Sequence, residues 1–170
     1  MDILRAGLLV LTMTILQVEL FADLRLFGVA AQCLLALSVA AGLTGGSMRG
    51  AILGFVAGLA IDLYLATPFG LSAFAYACAA SLAGLAQHSL NETSRIGRAG
   101  LVAAGSGVGA FIYVLSGAAL GQTYLVNSRF LSTLLLIMLW NALLGLVMVP
   151  IANWIWDIEW SPRRRLLPGL

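Results

Sequence analysis

Six apolar runs, at 4–21, 26–44, 49–66, 70–88, 99–121 and 131–153, take up most of the 170-residue chain. A helix of about 20 mostly apolar residues crosses the roughly 30 Å hydrocarbon core of a bilayer. The runs are continuously apolar and lack the in/out alternation of outer-membrane strands, so they predict helices and not a barrel. The expected fold is therefore all-α: a polytopic membrane helix bundle with six transmembrane helices, one integral membrane domain over 1–170. Composition points the same way, with 61% hydrophobic and 9% charged residues and a mean hydropathy of +1.01. A soluble domain carries about 25% charged residues. The same figures exclude disorder and argue against nucleic acid as a partner. Arg5 ahead of an apolar stretch resembles a signal peptide, but Gln17, Glu19 and a weak cleavage site favour a retained span.

The net charge of +2 matters less than where the charges fall. An even number of spans puts both termini on one side, which collects Arg5, Arg49, Arg95, Arg98, Arg163, Arg164 and Arg165. The opposite side holds Arg25 and Arg129. Arginine excess in short loops marks the cytoplasmic side, so both termini are expected there. Trp154, Trp156 and Trp160 precede the basic triplet in a cytoplasmic tail, 154–170, and read as an interfacial anchor, with a lipid-specific site as the alternative. Arg95 and Arg98 read as topology signals, with a cytoskeletal contact as the alternative. The loops are short (22–25, 67–69 and 122–130 outside, 89–98 inside), so activity must come from the bundle or its partners. Cys33 and Cys78 sit in apolar runs with no metal or redox spacing.

The most informative segment is the third run. Gly42, Gly46, Gly50, Gly54 and Gly58 recur every four residues, and Asp62 takes the next place. Residues four apart share a helix face, so 50–58 presents a groove without side chains against which another helix can pack closely. A second file, Gly105, Gly109, Gly117 and Gly121 around Tyr113, marks the fifth run. These two helices are the expected centre of the bundle. Asp62 is the carboxylate set deepest in a run. It can tie down the turn after it, bind a partner or proton, or reach the headgroups. Pro68 and Gly70 suit a tight reversal that makes the third and fourth helices antiparallel neighbours.

Taken in order, these segments resemble the rod shape-determining MreD family. The resemblance rests on Gly54-Phe55-x-x-Gly58-Leu59-x-x-Asp62-Leu63, Pro68-x-Gly70-Leu71 and an alanine-rich run ending near Gly84. Ala22-Asp23-Leu24 stands where the family has Pro-Asp-Leu, and Trp140-Asn141-Ala142-Leu143-Leu144 with Pro150 resembles its last span. The resemblance implies a fold similar to the substrate-binding subunits of energy-coupling-factor transporters. It also implies a non-enzymatic adaptor of cell-wall elongation, working beside the single-span scaffold MreC, the RodA and class B penicillin-binding protein pair, and the MreB filament.

Two expectations follow for the residues. The groove of Gly50, Gly54, Phe55 and Gly58 receives a partner helix, and Asp62 and Asn141 make polar contacts to it, unless Asn141 bonds inside the bundle. The rival reading is a vitamin-type binding subunit, disfavoured by short exterior loops and by the lack of converging polar and aromatic residues there. No cofactor or metal is expected. Nor is an enzyme, because His88 and the scattered Ser, Thr and Cys residues form no acid/base pair. Asn91-Glu92-Thr93 matches a glycosylation sequon on the expected cytoplasmic side and is discounted.

Overall fold

The computed structural model describes residues 3–19, 25–26, 29–86, 94–122 and 130–156. Within them the chain forms six helices: α1 (Ile3–Glu19), α2 (Cys33–Gly45), α3 (Ser47–Asp62), α4 (Leu71–Leu85), α5 (Arg95–Ala119) and α6 (Phe130–Trp156). A two-residue antiparallel pairing, β1 (Arg25–Leu26) with β2 (Val29–Ala30), precedes α2. This corrects the expectation of a helix from 26. Apolarity alone says nothing of backbone pairing, and a short hairpin satisfies the same N–H and C=O groups that a helical turn would.

The helices vary in length for a reason visible in their packing. At 1.5 Å per residue, the 25 residues of α5 and 27 of α6 reach roughly 37 and 40 Å, whereas the 13 of α2 reach roughly 20 Å. Among the described residues, α5 and α6 are long and apolar enough to cross a membrane, and α2 and α4 are shorter apolar helices. Each of the six expected spans corresponds to a helix, but among the described residues only α5 and α6 have the length and apolarity to cross a membrane.

At the centre lies α2, not the two glycine-bearing helices expected there. Every residue from 33 to 43 is buried, and α3, α4, α5 and α6 all pack on it. Its sequence shows no polar face, and a helix apolar all round belongs inside. Gln17 of α1 caps it from outside, its Oε1 accepting from Leu34 N at 2.9 Å. The second glycine file turns toward this centre: a Cβ on Gly105 would meet Val39 at 2.6 Å, and one on Gly109 would meet Leu35 at 2.8 Å.

Gly46 alone joins α2 to α3, at φ 88°, a left-handed value that side chains disfavour. The reversal between α3 and α4 takes 63–70, where Gly70 has φ 95°. Here α3 stops at Asp62, short of the expected 66. The two helices are antiparallel neighbours, as Pro68 and Gly70 suggested. Gly50 lies on Ala80, Gly54 on Tyr76 and Gly58 on Ala73, so each step of four up α3 is about four down α4.

The exterior of the bundle is apolar on every long face. Leu4, Leu8 and Leu11 on α1, Phe55 on α3, Phe74 and Leu82 on α4, Phe111 and Leu115 on α5, and Leu135, Leu139 and Leu143 on α6 are all exposed. The buried set includes Ser38, Asp62, Ser72, Ser106 and Asn141.

Candidate functional site

The glycine groove is already filled. A Cβ on Gly54 would stand 2.6 Å from the Tyr76 carbonyl oxygen, and one on Gly58 would overlap the Ala73 backbone. Gly50 meets both Ala80 and Gly42. The expectation that this face receives a partner helix is therefore corrected: α4 of the same chain occupies it. The sequence pattern identified close packing correctly but carried no information on which helix packs. Phe55 points away from the groove, half exposed at 48%, and is the member of that motif reachable from outside.

Asp62, 3% exposed, ends the same seam. Its carboxylate accepts from Gly70 N at 2.8 Å, Ser72 N at 3.1 Å and Ala73 N at 3.3 Å. These are amides at the start of α4, which has no cap from its own N-cap residue, Gly70. A helix leaves its first N–H groups without intrahelical partners, and its N-terminus favours an anion. Of the three roles open to Asp62, the structure supplies the turn tie: it is the cap of α4, delivered from α3. At the other end of the seam Ser47 and Ser81 hydroxyls bond at 2.6 Å.

Asn141 is wholly buried on α6, and neither Nδ2 nor Oδ1 has a hydrogen-bond partner. The internal hydrogen bond is not formed among the described residues, and complete burial sets the side chain away from the surface. Gly145 against Ala99 and Val102, and Gly107 against Met138, set an antiparallel register between α5 and α6. That register puts Asn141 level with 103–106, and Ser106 Oγ is likewise buried and unpartnered.

Four arginines mark one end of the bundle. The Arg5 guanidinium lies 5.4 Å from the Trp154 ring centroid, and that of Arg49 lies 5.5 Å from Trp156, both within cation–π range. Trp156 is not an interfacial anchor as expected. It is buried, packs on Gly45, and donates through Nε1 to Thr44 Oγ1 at 3.0 Å. Trp154, by contrast, is 53% exposed. Trp160, Arg163, Arg164 and Arg165 lie outside the described residues, as do His88, Ala22-Asp23-Leu24 and Asn91-Glu92-Thr93.

Two openings flank Pro150 at this end. One is an apolar cleft of about 500 Å³ between α1 and α6, lined by Arg5, Leu8, Leu9, Thr12, Met13, Pro150, Ile151 and Trp154. It exists because α1 packs on α2 and α3 and is bridged to α6 at the Arg5–Trp154 contact. The other is a cavity of about 300 Å³ between α5 and α6, lined by Arg95, Arg98, Gly145, Leu146, Val149, Pro150 and Asn153. Of the cleft's lining, the sequence flagged Pro150, Arg5 and Trp154; the α1 residues carry no signal beyond apolarity.

The opposite end holds a polar cluster that sequence reasoning missed. Tyr76 has Gln17, Asp62 and Tyr113 nearby, and Tyr113 Oη lies 3.4 Å from Thr67 Oγ1. These residues come from four helices and a turn, so no spacing along the chain reveals them. Their polar atoms serve the fold: Gln17 caps α2, and Asp62 caps α4. Among the described residues no group of His, Cys, Asp and Glu is placed to hold a metal ion. No family model, curated protein or solved structure matches the chain.

Proposed function

We propose that the chain is a non-enzymatic membrane adaptor that holds a partner's transmembrane helix against its α1–α6 cleft. The partner class is the one the sequence resemblance implies, an MreC-like single-span scaffold of cell-wall elongation, through which the RodA–penicillin-binding protein pair and MreB would be reached. The cleft is the observation that carries this reading. It is apolar, elongated along two helices, open on one side, and lined by side chains of the size that interdigitate between helices in lipid. A close-packed helix there would cover the face of α1 that carries Leu8 and Thr12.

The membrane setting is part of the same proposal. Large contiguous apolar surface on a folded bundle marks a membrane or partner face, and here Leu8, Phe55, Phe111 and Leu139 are exposed while Asp62 and Asn141 are buried. We read all six helices as lying within the bilayer, α5 and α6 crossing it fully and the short α2 sealed inside the others. The arginine end then faces the cytoplasm with both termini.

The polar cluster of Gln17, Asp62, Tyr76 and Tyr113 favours the rival, a small-molecule-binding transporter subunit. Against it, Gln17 and Asp62 are committed to helix caps. A vitamin retained on the purified protein would establish the rival.

Thr12→Trp fills the cleft without touching the core, because Thr12 is exposed and bonds only to its own helix, at the Leu8 carbonyl. Co-purification of the MreC-like scaffold from native membranes should fall about ten-fold, while Phe55→Ala leaves it unchanged. Undiminished co-purification with Thr12→Trp rejects the cleft.

A further inference from the structure

The cavity between α5 and α6 differs in chemistry from the cleft and is not needed for the adaptor role. Arg95 and Arg98 enter it from the first turn of α5, Asn153 faces them from α6, and Leu146, Val149 and Pro150 form its apolar wall. Among the described residues no carboxylate lines the cavity, and the first turn of α5 contains no acid. Arg98 is half-buried and engaged within the chain, whereas Arg95 is exposed. Positive potential is therefore concentrated where two guanidiniums and the helix's own N-terminal dipole coincide, beside a wall that suits an acyl chain. Guanidinium binds phosphate oxygens in a fork geometry that a single cation cannot reproduce.

We propose that this cavity is a binding site for the phosphate headgroup of an anionic phospholipid, with the lipid's acyl chains running along Leu146 and the outer face of α6. Arg95 and Arg98 hold the phosphate, and Asn153 donates to the headgroup oxygens. The committed source is a lipid and not free phosphate, because Leu146, itself 49% exposed, makes the cavity continuous with the apolar exterior. Basic pockets between helices at a cytoplasmic boundary are where such headgroups bind. The site rests on the membrane part of the proposed function and is independent of the partner.

The test is native mass spectrometry of the detergent-purified full chain titrated with phosphatidylglycerol or phosphatidylcholine, with and without inorganic phosphate. Wild type should retain phosphatidylglycerol in preference, and the double variant Arg95→Gln/Arg98→Gln should lose about 25-fold of that preference, at about five-fold for each basic residue. Leu146→Trp, which blocks the cavity while leaving both arginines, should lose it equally, and thermal unfolding of each variant reports whether it is folded. Equal retention of the two lipids by folded wild type overturns the site, as does lipid preference that survives in folded Leu146→Trp. Displacement of lipid by millimolar inorganic phosphate overturns the lipid assignment. Undiminished partner co-purification with Thr12→Trp, alongside a retained lipid preference, would reject the adaptor cleft and leave this site standing.

Discussion

Asp62 converts a costly group into a structural one. An unpaired carboxylate deep in an apolar bundle is expensive, but three amides of α4 share this one. Charge-assisted hydrogen bonds contribute about 1.5–3 kcal/mol each and are not additive, so Asp62→Ala is expected to lower stability by about 2–4 kcal/mol, with Asp62→Asn losing less. Thermal unfolding in detergent measures both; a change below about 0.5 kcal/mol for Asp62→Ala would remove the capping role. Asn141 is the opposite case. Its amide is buried with no partner, and such a group costs about 1–3 kcal/mol. Asn141→Leu keeps the branching at Cγ and removes the unmet polar atoms, so the unfolding temperature should hold or rise. A marked fall would mean the amide is hydrogen-bonded after all. The sequence made both residues conspicuous as polar groups in apolar runs, but their partners, or lack of them, depend on register between helices and were not legible.

At the scale of elements, the α3–α4 pair shows what a small-residue pattern can and cannot tell. Spacing of four fixes a face without side chains, and the short reversal at Pro68 and Gly70 fixes the neighbour as antiparallel. Together they contain the answer that α4 fills the groove; reading the groove as vacant treated the two observations separately. Gly58→Leu should therefore act on folding and not on partner binding, since its side chain would overlap the Ala73 backbone. Overpacking of this kind costs about 1–3 kcal/mol or more, so folded yield in detergent should collapse, while Phe55→Ala on the outward face stays within about 0.5 kcal/mol of wild type. Normal stability of Gly58→Leu would mean that α4 does not occupy this seam. The start of α2 was not legible for another reason: the 26–32 stretch is as apolar as a helix, and what separates the two is backbone pairing.

For the molecule as a whole, the arginine count along the chain already sorted one end from the other, and Arg5, Arg49, Arg95 and Arg98 do gather together. What no count could supply is that α2 lies enclosed, leaving α1 displaced and the cleft open beside it. The orientation is tested by single cysteines in a background lacking Cys33 and Cys78. Ser94→Cys should react with a membrane-impermeant thiol reagent only after the cells are opened, and Ala66→Cys in intact cells; the reverse pattern would invert the topology. The central claim, that the partner helix meets α1–α6 and not α3, is tested most directly by photo-cross-linking in native membranes. A photoreactive residue replacing Leu8 or Ile151 should yield an adduct with the single-span scaffold, and one replacing Phe55 should yield none. Adducts from Phe55 with none from Leu8 or Ile151 would contradict the account.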